Sequence, residues 1–165
     1  KLYLVRHGIA LDRLSGAIKT DFDRPLTADG YDETAQVAGA LKRLGVKADL
    51  LVTSPLVRAK QTAEIFAETL GYGQELQICQ ALAPGGEAGD IYKTVAKTRA
   101  NELFFFGHEP DMGDLARQLL HCGPDFYLPF KKAAVCRIDV AQLPSEAAGV
   151  LKWLITPKIA RAMTR

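Results

Sequence analysis

Two arginines and two histidines stand out by their placement: Arg6 with His7, Arg58, and His108 each follow an apolar, strand-like run. A guanidinium is a planar fork of N–H donors that pairs with two oxygens of a phosphoryl group and keeps its charge at any relevant pH. A neutral imidazole between two such cations can act as a nucleophile, with a pKa pushed down by its neighbours. Transfer through an enzyme-bound histidine splits one hard displacement into two easier ones. Fixed donors supply the electrostatic stabilisation that phosphoryl transfer needs most. Together the four residues describe a site for a dianionic phosphoryl group.

Such a site exists only if three distant segments meet. The pattern predicts strands over Leu2–Val5, Asp49–Thr53, Leu76–Cys79, Leu103–Phe106, Ala134–Val140 and Val150–Ile155. Residues 10–26 read as a polar loop. Thr27 is a suitable N-cap for a helix carrying Ala35, Val37, Ala38, Leu41 and Leu44 and stopped by Gly45. Ser54-Pro55 reads as an N-cap followed by proline at the first helical position, opening a helix that ends at Gly71. Further helices are predicted over residues 88–98 and 111–120, the first after a Pro-Gly-Gly loop at residues 84–86. Alternating β and α units predict an α/β fold: a three-layer α/β/α sandwich with a mostly parallel central sheet and an antiparallel edge from the last two strands. Arg6-His7, Arg58 and His108 then lie beyond the C-terminal ends of three strands, the edge where open α/β sheets bind ligands.

Bulk properties narrow the classes without choosing among them. The chain has 165 residues, 48% hydrophobic and 24% charged, which predicts one domain over residues 1–165 and excludes a disordered chain. A net charge of +2 argues against a general nucleic-acid or membrane-surface binder. No apolar run approaches the roughly 20 residues of a transmembrane helix. Cys79, Cys122 and Cys136 have no metal-ligand spacing and read as reduced thiols, and the N-terminus carries no secretory pattern, so a cytoplasmic location is expected.

Several segments together carry a family resemblance. Arg6-His7-Gly8 matches the RHG signature of the histidine phosphatase superfamily, also called phosphoglycerate-mutase-like. The stretch from Ser54 to Ala63 resembles its SPxxRAxQTA segment, Gly107-His108-Glu109-Pro110 resembles its third segment, and Arg24-Pro25-Leu26-Thr27 with Gly30 resembles the RPLTxxG of short members. The likeness runs nearly the whole chain, to Trp153 and Pro157, and the compact length resembles the SixA type of phosphohistidine phosphatase. It implies a phosphoglycerate-mutase-like fold and phosphorylation of His7 at Nε2, with its Nδ1–H held by a backbone carbonyl. It further implies that Arg6, Gly8, Arg58 and His108 bind the phosphoryl group and that water hydrolyses phospho-His7 to release phosphate. No metal and no cofactor is implied. The implied partner is a protein bearing phosphohistidine, of the histidine phosphotransfer type, with no nucleic acid or membrane.

The sequence departs from the family in one informative place. Many members carry a carboxylic acid in an LxE pattern after the third strand to protonate the leaving group; here Leu82-Ala83-Pro84 has proline instead. The nearby carboxylates are Glu87 and Asp90, in or after the glycine-rich loop. An alkoxide needs that proton, whereas a phosphohistidine imidazole leaves easily once protonated, so the departure suits phosphoramidate hydrolysis. A broad-specificity phosphomonoesterase using Glu87 or Glu109 is the alternative. A silent phospho-ligand binding module is a further one, against which the intact His7 and His108 speak. Arg24 either lines the pocket rim or pairs with Asp21 or Asp23. Asp21-Phe22-Asp23 follows no apolar strand and reads as a solvated loop. His121 reads as a helix C-terminal residue interacting with the dipole. Lys131, Lys132, Lys158, Arg161 and Arg165 read as a solvated basic face rather than a docking patch.

Overall fold

The computed structural model describes residues 1–12 and 19–163; Arg165 and part of the predicted 10–26 loop lie outside them. The strands are β1 (Leu2–Arg6), β2 (Leu50–Thr53), β3 (Gln77–Ile78), β4 (Leu103–Gly107), β5 (Val135–Asp139) and β6 (Val150–Ile155). The helices are α1 (Ala28–Arg43), α2 (Val57–Leu70), α3 (Ala88–Val95), α4 (Asp111–Leu119) and α5 (Pro157–Ala162), with a short 3-10 turn at Gln80–Leu82.

The strands form one sheet in the order β3-β2-β4-β1-β5-β6. The β3-β2-β4-β1 block is parallel, and β5 runs antiparallel to both β1 and β6. Side chains alternate across it with the period of two that a pleated strand imposes. Leu2, Leu4, Leu103 and Phe105 face a layer holding Ile91 and Val95 of α3 and Met112, Leu115 and Leu119 of α4. Tyr3, Val5, Phe104 and Phe106 face Val37 and Leu41 of α1, Phe66 of α2 and Ala160 of α5. Tyr3 and Phe104 stack at 4.3 Å on that face. The fold is therefore an α/β/α sandwich with an antiparallel edge. No described helix is long and apolar enough to cross a membrane.

Local signals held in most places. Thr27 caps α1, accepting from the Gly30 amide, and Gly71 ends α2 in the left-handed conformation. Two departures stand out. Helix α2 begins at Val57 with Leu56 as its N-cap, because the Ser54 hydroxyl accepts the Leu56 amide and is also held by a residue of the site. Helix α5, absent from the prediction, opens on Thr156-Pro157, where Thr156 accepts the Ile159 amide. All three cysteines are free; Cys79 and Cys136 are buried and Cys122 is partly exposed.

Candidate active site

Strands β1 and β4 pair in register from Leu2–Leu103 to Arg6–Gly107. The ladder continues one step further, with the His7 amide donating to Gly107 O at 3.0 Å. His7 and His108 thus leave the sheet side by side, their ring centroids 5.1 Å apart. From β2 on the far side of β4, the Ser54 amide donates to Phe106 O. Arg58 sits one residue inside α2. The three segments meet at the C-terminal edge of the parallel strands, with His7, His108 and Arg58 all buried.

Two contacts fix the His7 tautomer. Nδ1 lies 2.7 Å from Gly8 O, a carbonyl that can only accept, so Nδ1 carries the proton. Nε2 lies 3.3 Å from Arg58 Nε, a donor, so Nε2 presents its lone pair. Burial pushes His7 down to about 4, and the charges of Arg58, Arg6 and Lys132 add to that against the opposing Gly8 contact. His108 is pushed to about 3, by burial first and then by His7, Arg58 and Arg6. Both rings are neutral near pH 7.

Arg6 Nη1 donates to Phe130 O at 2.6 Å, while Arg6 Nε and His108 Nδ1 are buried without a hydrogen-bond partner. Leaving such atoms unpaired is unfavourable; an anion with several acceptor oxygens satisfies Arg6 Nε, and also His108 Nδ1 in the tautomer in which the Ser54 hydroxyl donates to Nε2. Among the described residues, no group of three or more His, Cys, Asp or Glu side chains could hold a metal ion.

The Ser54–Ala63 segment can be read by what each polar side chain touches. Ser54 Oγ lies 2.8 Å from His108 Nε2, Gln61 Oε1 accepts the Leu26 amide, and Thr62 Oγ1 accepts the Gly8 amide while donating to Arg58 O. Ala59 and Ala63 are wholly buried. One short segment thereby ties the loops carrying His7, Arg24 and His108 to helix α2. Residues 2–111 match the family model of the histidine phosphatase superfamily (branch 1).

The chain belongs to the histidine phosphatase superfamily. It is 37% identical over 163 residues to an uncharacterised protein of Picosynechococcus sp., covering 96% of this chain and 97% of the relative. It is 28% identical over 171 residues to the phosphohistidine phosphatase SixA of Escherichia coli strain K12, covering 99% of each. A solved structure of the protein histidine phosphatase SixA complexed with tungstate matches with a TM-score of 0.82 at 27% identity, covering 95% of this chain and 97% of that one.

In this superfamily member the remaining sequence candidates separate clearly. Gly8 acts through its backbone, its amide engaged by Thr62 and its carbonyl by His7; a Cβ there would lie 2.6 Å from Thr34 Oγ1. Glu109 is not positioned as a proton donor: Oε1 accepts the Phe130 amide at 2.5 Å and Oε2 the Gly113 amide at 3.1 Å. Glu87 is exposed just before α3, and two cavities it lines include neither His7 nor His108. Arg24 pairs with Asp21 at 3.0 Å and donates to Leu11 O. His121 stands past α4 in the left-handed conformation, with Nε2 3.2 Å from Ser145 O.

Sequence reasoning missed Asp21 and Ser54. The sequence reads Asp21 as part of a solvated loop, yet Oδ2 lies 3.0 Å from Arg58 Nη2 and its backbone O accepts Arg58 Nη1 at 2.6 Å. The available signal was an acidic residue three positions before Arg24, a spacing that also fits an ordinary surface pair. Ser54 carried a stronger competing signal, the Ser-Pro helix start.

Proposed function

We propose that this chain hydrolyses phosphohistidine carried on another protein, through a covalent phosphohistidine at His7. The observation that carries the reading is the state of His7: neutral, with its Nδ1 proton held by Gly8 O and its Nε2 lone pair beside Arg58. In the first step that lone pair attacks phosphorus while the P–N bond of the substrate breaks. The substrate imidazole, protonated by solvent on its other nitrogen, leaves neutral. Phospho-His7 keeps its Nδ1 proton on Gly8 O. Water then attacks phosphorus, the Nε2–P bond breaks, His7 leaves as the neutral ring it began as, and dihydrogen phosphate departs.

Arg6, Arg58 and His108 are the groups placed to stabilise the phosphoryl oxygens as charge shifts among them. Neither step asks the protein for a carboxylic acid. That fits the proline at position 84, the exposed Glu87 and a Glu109 carboxylate already holding two amides. An alkoxide leaving group would lack its proton here, so phosphoramidates are the better substrates. Likeness to SixA over the full chain supports the same substrate class.

The test has two parts. Brief incubation with labelled phosphohistidine protein should trap an acid-labile, base-stable phosphoenzyme in the wild type and none in His7→Ala; turnover without any such species sinks the mechanism. The kcat/KM for a phosphohistidine domain should exceed that for sugar phosphates. A preference for the sugar phosphates sinks the substrate class.

A further inference from the structure

A groove of about 610 Å³ opens from Arg6 and runs between the 130–134 segment and α5. Five cationic side chains line it, Arg6, Lys131, Lys132, Lys158 and Arg161, against one carboxylate, Glu33. Glu33 is engaged by Arg161 at 2.8 Å. The groove therefore holds more positive charge than the whole chain's net +2, and the rest of the molecule is net negative. Lys131, Lys132 and Lys158 have no carboxylate partner among the described residues.

These lysines are held in place rather than trailing from a loose loop. Arg6 Nη1 donates to Phe130 O, the Ala133 amide to His7 O, the Arg6 amide to Ala134 O, and the Phe130 amide to Glu109. The opposite wall is capped by Thr156 and pinned to α1 through the Arg161–Glu33 pair. Lys132 is near enough to depress the pKa of His7. The division of cations is itself informative. Arg6 and Arg58 stand at the phosphoryl site, where paired geometry matters; in the groove Arg161 is engaged by Glu33, and Lys131, Lys132 and Lys158 offer compact charges on flexible stems that attract acidic groups without dictating their geometry.

We propose that this groove docks an acidic face of the partner protein that presents the phosphohistidine. The proposal rests on the phosphohistidine reading above. Its carboxylates would meet Lys131, Lys132 and Lys158 while the phosphorylated ring enters beside Arg6. Such rim charges act mainly on encounter and are screened by salt.

The test uses two synthetic peptides carrying the same phosphohistidine, one flanked by Asp and Glu, the other by Ser and Gln. At low salt the wild type should show a kcat/KM about threefold to tenfold higher for the acidic peptide, a ratio that falls as sodium chloride is added. In the double variant Lys131→Gln, Lys158→Gln the ratio should fall to about one, with the neutral peptide serving as the reference within the same folded protein. Equal kcat/KM for the two peptides in the wild type overturns the groove and leaves the phosphohistidine reading standing. So does a preference that survives the double variant. Hydrolysis of phosphomonoesters but of neither peptide overturns the reading itself, and the groove proposal with it.

Discussion

Asp21 and Arg58 form an ion pair inside the candidate site, Oδ2 to Nη2 at 3.0 Å, while the other Asp21 oxygen holds Arg24 at 3.0 Å. A carboxylate thus engages a guanidinium proposed to bind the phosphoryl group, and its charge opposes any incoming anion. Asp21→Asn keeps the shape and removes the charge. It should tighten inhibition by tungstate and by phosphate about threefold to tenfold. Weaker inhibition in Asp21→Asn would mean that the carboxylate serves chiefly to orient Arg58.

The histidines predict a pH dependence with a definite sign. His7 falls from an ordinary 6.5 to about 4, and His108 to about 3. Below pH 6.5 the unfolded chain binds these protons more readily than the folded one, so stability is full above pH 6.5 and declines as pH drops towards 4. Urea midpoints should fall across that window, and less steeply in His108→Asn. Nitrogen NMR of the wild type should report His7 as the Nδ1–H tautomer titrating near pH 4; a value near 6.5 contradicts the buried, arginine-flanked ring.

Gly30 is demanded by contact rather than by backbone conformation. A Cβ at this position would lie 2.1 Å from Ile9 O, so α1 must move away from the loop that follows His7. Gly30→Ala should cost roughly 1–3 kcal/mol in urea unfolding. Displacement of that loop should also lower kcat by at least about tenfold, given how steeply rate depends on placement. Unchanged stability and kcat would show that the two segments yield without consequence.

Glu109 separates a structural from a catalytic role. Its carboxylate accepts the amides of Gly113 and Phe130, and Phe130 O in turn receives Arg6. Glu109→Ala should lose roughly 2 kcal/mol of stability, because two amides lose a charged acceptor. Glu109→Gln, which retains one acceptor oxygen, should fall between. A proton donor behaves differently: Glu109→Gln would keep full stability and lose rate only on substrates with poor leaving groups.

How much of this was legible depended on whether the information was local. The continuous apolar runs Leu2–Val5 and Leu103–Phe106 announced buried strands, and Val150–Ile155 matched its predicted ends. The proximity of Arg6, His7, Arg58 and His108 was legible because Arg6 ends one strand, His7 and His108 directly follow two paired strands, and Arg58 lies in the first turn of the helix after a third. Asp21 was hidden because its partner Arg58 is 37 positions away and reached through an irregular loop. Glu109 misled for the opposite reason: beside His108 in sequence, it turns its carboxylate to backbone amides. Ser54 carried two readings at once, and the contact with His108 prevailed over the helix start.

Strand β1 sits in the middle of the sheet, yet its parallel neighbour β4 follows about one hundred residues later and its other neighbour β5 later still. On a ribosome, Leu2-Tyr3-Leu4-Val5 must wait without a strand partner until about one hundred further residues are made. Pairing of such distant segments is slow, and an unpaired apolar strand is open to wrong associations meanwhile. No fragment ending before β4 can hold His7 beside His108. His7 meets His108 only after about one hundred further residues have followed it off the ribosome.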